Sequence, residues 1–165
     1  MPGEAMSIIR AFLDALGFGA ARPAQARREG PPPDVREAAE WLAMALRSSG
    51  YKADFSLESL REVDRFFDNH APDGKVRPGG LLAERQGERI FAIGAYIGEV
   101  IRVRRGGTWH FNKAIPQAEW HMELRLDTGS TIRPMERAMK RFKNGPEDGI
   151  YVYGLFVATG ITRDG

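Results

Sequence analysis

Apolar residues recur at helical spacing from the start of the chain. Met6, Ile9, Leu13 and Leu16, with Phe12 alongside, predict an amphipathic helix over residues 5–16, which Gly17 ends. Residues 17–33 lose that period. They collect Gly17, Gly19, Gly30, Pro23 and the triplet Pro31, Pro32 and Pro33, with Arg22, Arg27 and Arg28 between. Glycine loosens such a segment and proline extends it, so 17–33 reads as a linker. The chain therefore divides into an appendage, 1–33, and a single domain, 34–165.

Helical spacing returns with Val35, Ala38, Ala39, Leu42 and Leu46, which predict a helix from Asp34 to about Ser49, before Gly50. Ser56 is a fitting N-cap for the next helix. Glu58 lies in its positive first turn, Leu57, Leu60, Val63 and Phe67 line one face, and it ends near His70. A long helix follows over about 81–104. Ile90, Ile93, Gly94, Ile97, Gly98 and Ile101 share a face, and Phe91, Tyr96, Val100 and Val103 widen it. Only a narrow stripe of Ala92, Ala95, Glu99 and Arg102 stays small or polar. A helix this apolar is covered on several sides. Gly94 and Gly98 each cost about 1 kcal/mol of helix propensity relative to alanine, so close approach of another backbone is the expected compensation.

Past Gly106 and Gly107 the period changes from helical to alternating. Trp109 and Phe111 flank His110; Trp120, Met122, Leu124 and Leu126 alternate with His121, Glu123 and Arg125. These are two half-buried strands. A six-residue loop over 113–118 would set Trp109 opposite Met122 and Phe111 opposite Trp120. Asp127-Thr128-Gly129 is a turn into a third short strand over 130–133. Pro134 suits the first position of a helix over 134–143, ended by Asn144-Gly145. Residues 149–162 carry both a helix start, Pro146-Glu147-Asp148, and the strand formers of 150–153. A helix is the preferred assignment and a strand the alternative. Together these elements predict an α+β domain with helices packed on one face of a three-stranded antiparallel β-meander.

Composition changes this picture little. The 165 residues are those of an ordinary globule, and the absence of cysteine excludes disulfides and thiolate chemistry. The 24 basic residues nearly balance the 22 acidic ones, for a net charge of +2, less than a dedicated nucleic-acid binder usually carries. Ala24-Gln25-Ala26 has the shape of a cleavage site. Glu4, Arg10 and Asp14 nevertheless interrupt any signal peptide, so a cytoplasmic protein without a membrane partner is expected.

Three clusters are candidates for chemistry. In the register above, His110 and His121 are cross-strand neighbours with Glu123 two residues along, a set that can hold zinc with an open position. A solvated outer face explains the same residues, no HExxH spacing supports a metal, and neither metal nor cofactor is expected. Glu99 is the one acid in the apolar run and is either a partly buried acid–base group or, with the narrow stripe exposed, the i+3 partner of Arg102. Arg102, Arg104 and Arg105 end the long helix, and a second set comprises Arg133 and four cations crowded into seven residues of the helix over 134–143, Arg137, Lys140, Arg141 and Lys143. If adjacent, they form an anion-binding patch; separately, they are cations that helix C-termini favour. The apolar face of Met6, Ile9, Leu13 and Leu16 is a candidate helix-in-groove anchor for a protein partner.

Ser56-Leu57-Glu58-Ser59-Leu60, Gly94-Ala95-Tyr96-Ile97-Gly98-Glu99-Val100-Ile101-Arg102, Gly106-Gly107-Thr108-Trp109 and Asn144-Gly145-Pro146-Glu147-Asp148 follow one another in that order. Over about 53–148 the chain resembles a group of small bacterial proteins of unknown function, with a GAYxGEV helix, a GGxW turn and a closing GPED motif. The resemblance implies a bacterial α+β domain without established enzyme activity, and by association an immunity-like or other partner-binding role. It implies no functional residue. The leading expectation is a non-enzymatic protein-binding domain. A nucleic-acid or anion binder using the arginine and lysine clusters is the alternative, and a metal-dependent hydrolase ranks third.

Overall fold

The computed structural model describes residues 33–160. The predicted helix over 5–16 and the linker up to Pro32 lie outside the described residues. Five helices and a three-stranded antiparallel sheet make up the described part, an α+β architecture. Helix α1 spans Pro33–Ser48 and α2 spans Leu60–His70, entered through a 3-10 turn, Leu57–Ser59. Ser56 caps that turn: its hydroxyl accepts the Ser59 N–H at 3.2 Å.

The central helix, α3, spans Gln86–Arg105. Its start lies five residues later than the periodicity suggests. Arg85 adopts a left-handed conformation, φ 49°, through which a helix cannot propagate. Leu82, fully buried, belongs to the turns before it. Every residue from Ile90 to Ile101 is buried. The narrow exposed stripe is thereby corrected: Ala92 and Ala95 are as covered as the isoleucines, because α1, α4 and α5 all pack on α3. Gly94 and Gly98 make that enclosure possible. A Cβ on Gly94 would lie 2.7 Å from the Met135 Cα, and one on Gly98 would strike the Trp109 ring and lie 3.1 Å from the Pro134 Cγ.

Strands β1, Thr108–His110, β2, Glu123–Arg125, and β3, Thr131–Ile132, form the meander in the order β1-β2-β3. Trp109 pairs with Leu124 and His110 with Glu123, two residues from the expected register. The cause is the connection. Ala118–His121 winds into a 3-10 turn after Gln117 takes a left-handed conformation, φ 54°, and Asn112 starts a turn of its own by accepting the Ala114 N–H. Trp120 therefore leaves the strand. A shift of two preserves side-chain parity, so Trp109, Leu124 and Met122 stay inside.

Helix α4 spans Pro134–Asn144, with Pro134 at its first turn and Gly145, φ 86°, past its end. A 3-10 turn, Pro146–Asp148, leads to α5, Ile150–Thr159, which settles 149–162 in favour of helix as far as Gly160. Asp64 on α2 accepts the N–H groups of Ile150 and Tyr151, each at 2.9 Å, and so caps α5 from another helix. Arg141 on α4, 2% exposed, completes this junction. It donates to Asp64 Oδ1 at 2.8 Å and to Asp68 Oδ1 at 2.7 Å. No helix among the described residues is long and apolar enough to cross a membrane.

Candidate functional site

Helix α4 buries Met135, Ala138, Arg141 and Phe142. The same period places Glu136, Met139, Lys140 and Lys143 on its outer flank, three or four residues apart. The 3-10 turn Ala118–His121 runs beside that flank. It buries Ala118 and lays Trp120 edge-on to Phe91, with ring centroids 6.5 Å apart. Between turn and helix lies an open groove of about 410 Å³. Trp120 and Met139 supply its apolar walls, Lys140 and Lys143 its cations, and Gln117 and Asn144 further polar groups. His121 Nδ1 and Glu136 Oε1, 2.8 Å apart, join its two sides.

Lys140 and Lys143 are exposed, and neither has an ion-pair or hydrogen-bond partner among the described residues. The neighbouring arginines differ. Arg133 donates to Glu123 at 3.0 Å. Arg137 donates to Asp148 at 3.0 Å and lies over the Tyr153 ring, 4.2 Å from its centroid. Burial pushes the Tyr153 phenol up to about 12, so that ring stays neutral beneath the cation. Arg141 is enclosed between the two aspartates. The crowded cations of 134–143 are therefore not one patch: Arg137 and Arg141 serve the fold, as Arg133 just before the helix does, and Lys140 and Lys143 face the groove.

The other sequence candidates separate in space. His110 opposes Glu123 across the sheet, whereas His121 turns away to Glu136, so the expected cross-strand pairing of the two histidines is corrected. Glu123 is engaged by Arg133 and Arg125, which hold its carboxyl below the usual range. Among the described residues no three histidine, aspartate or glutamate side chains come together to hold a metal ion. Glu99, 6% exposed, accepts from Arg102 Nε and Nη2, at 2.9 and 3.1 Å, and from the Trp109 indole N–H at 2.8 Å. Its partners are those of a structural carboxylate that ties β1 to α3. Arg104 is exposed and Arg105 half-buried at the same helix end. Met6, Ile9, Leu13 and Leu16 lie outside the described residues.

The groove contains an imidazole–carboxylate pair but no hydroxyl or thiol among its lining residues, so it offers no side-chain nucleophile of either kind. What it offers is an apolar cleft with two lysine charges that no carboxylate among the described residues pairs with. Sequence reasoning passed over Trp120 and Met139. Alternation places Trp120 in a strand, and the outer flank of α4, legible as Glu136, Met139, Lys140 and Lys143, gains significance only beside the turn. A second apolar surface is α5. It carries no charged residue, buries only Ile150 and Gly154, and leaves Val152 53% exposed. No family model, curated protein or solved structure matches the chain.

Proposed function

We propose that this chain is a non-enzymatic protein-binding domain whose contact surface is the groove between α4 and the turn before β2. One observation carries this reading: Lys140 and Lys143 have no ion-pair partner among the described residues and stand over an apolar cleft, while the arginines around them are tied into the fold. Holding two like charges over apolar walls brings the fold no ion pair, whereas an apolar centre with a charged rim is the anatomy of a protein interface. An immunity-like role in a bacterium is the specific form that the resemblance of the sequence suggests by association. The nucleic-acid alternative loses support because Arg141 is buried and Arg133 and Arg137 face carboxylates. The test is site-specific photo-crosslinking with benzoylphenylalanine at Met139, with the exposed Met44 of α1 as control. A protein adduct formed at 139 and not at 44, and still formed when irradiation is carried out at about 0.3 M salt where surface charges are strongly screened, is the expected result. No adduct, together with tight and steeply salt-dependent binding of random DNA or RNA, would reverse the assignment.

A further inference from the structure

The groove also has a chemical preference, which rests on the protein-binding reading above. We infer that its occupant is an acidic segment of a partner protein that inserts one large apolar side chain between Trp120 and Met139. Three features point this way. Only five lysines occur in the chain, and two of them, one helical turn apart on α4, line this one groove. The single carboxylate of the groove, Glu136, hydrogen-bonds His121 at 2.8 Å and is approached by Arg133 at 4.0 Å, and the two lysines outnumber it. The volume of about 410 Å³ accommodates one aromatic side chain with the backbone that carries it. Lysine is a point charge on a flexible stem and demands no bidentate geometry, so the two rim charges select acidity rather than one fixed pose. Trp120 offers the rigid aromatic surface on which an anchor residue packs.

The experiment is an NMR titration of the full chain, following the Trp120 indole N–H at about 50 mM salt. The probes are three capped nine-residue peptides and inorganic phosphate. The first peptide has phenylalanine at its centre and glutamates on both sides. The second replaces the phenylalanine by alanine, and the third replaces the glutamates by lysines. We expect the first to move the indole signal with a Kd below about 1 mM. We expect the second and third to bind at least about ten-fold more weakly. The exposed double variant Lys140→Glu, Lys143→Glu should reverse the order of the first and third peptides. Equal binding of the acidic and basic peptides would overturn the acidic preference and leave the protein-binding reading standing. Saturation by phosphate with no response to any peptide would overturn both. A synthetic peptide of residues 1–16 that binds tighter than the acidic probe would assign the groove to this chain's own N-terminal segment. Dimerisation lost in the double variant would assign it to a second copy. Either result would overturn an external partner.

Discussion

Alanine at Gly94 and at Gly87, two positions in the same helix, should change stability in opposite directions. Helix propensity alone favours alanine over glycine by about 1 kcal/mol in a helix interior. At Gly87, in the first turn of α3, an added Cβ meets only the Trp120 ring, at 3.7 Å, an ordinary contact. Gly87→Ala should therefore stabilise by a few tenths to about 1 kcal/mol. At Gly94 the Cβ would lie 2.7 Å from the Met135 Cα and 3.0 Å from its backbone nitrogen. That is about 1 Å inside the usual carbon–carbon contact of roughly 3.5–4.0 Å. The obstacle is backbone, so no rotamer change relieves it, and α3 and α4 must part across a filled core. Overpacking of this kind costs about 1–3 kcal/mol, with this site at the upper end. Subtracting the propensity gain leaves a net loss of about 2 kcal/mol, or roughly 4–8 °C in Tm for a chain of this size. Thermal melts followed by circular dichroism, with urea titration for ΔG, decide it. If Gly94→Ala melts at or above the parent, as Gly87→Ala is expected to do, the close approach of α3 and α4 is not what the glycine provides.

Arg141→Ala should cost about 3 kcal/mol by urea unfolding. That is the lower part of the range for breaking a buried pair, because Asp68, 56% exposed, can rehydrate. Adding Asp64→Asn to Arg141→Met should recover only part of the loss seen with Arg141→Met alone: the amide removes the uncompensated charge, but its one oxygen can accept only one of the two α5 N–H groups, which Asp64 takes on separate oxygens; a single-variant loss below about 1 kcal/mol contradicts the junction. His70 Nδ1 accepts the Leu81 N–H at 3.3 Å, an interaction that protonation at Nδ1 abolishes. Burial, with the Arg77 charge second, holds the imidazole below 6.5, so the unfolded chain binds this proton before the folded one does. The stability it confers is complete above pH 6.5 and is lost as the pH falls through the folded value. An NMR titration should place His70 below 6.5, and His70→Gln should flatten the stability profile between about pH 7 and 5.5; a His70 value above 6.5 contradicts the arrangement.

Much of the fold was legible along the chain because its signals are local. Ser56 at a turn start, Pro134 at a helix start, Gly145 after a helix end and the switch of period past Gly107 each act over a few residues, and each stands where the pattern placed it. Gly94 and Gly98 announced a close approach through their propensity cost, and Met135, Pro134 and Trp109 meet it.

Tertiary structure decided whatever depends on residues far apart in the chain. The strand register followed from the turn at Ala118–His121, whose left-handed entry at Gln117 has no glycine to announce it. Glu99 looked outward on a helical wheel because a wheel cannot count neighbours; helices on several sides and the Trp109 indole turned it inward. Arg141 read as one cation in a basic run, yet Asp64 and Asp68, more than 70 residues earlier, take it into the core. Lys140 and Lys143 were left to the surface by that same division. Composition sets how many charges a chain carries, but only packing decides which are neutralised inside the fold and which remain on its surface.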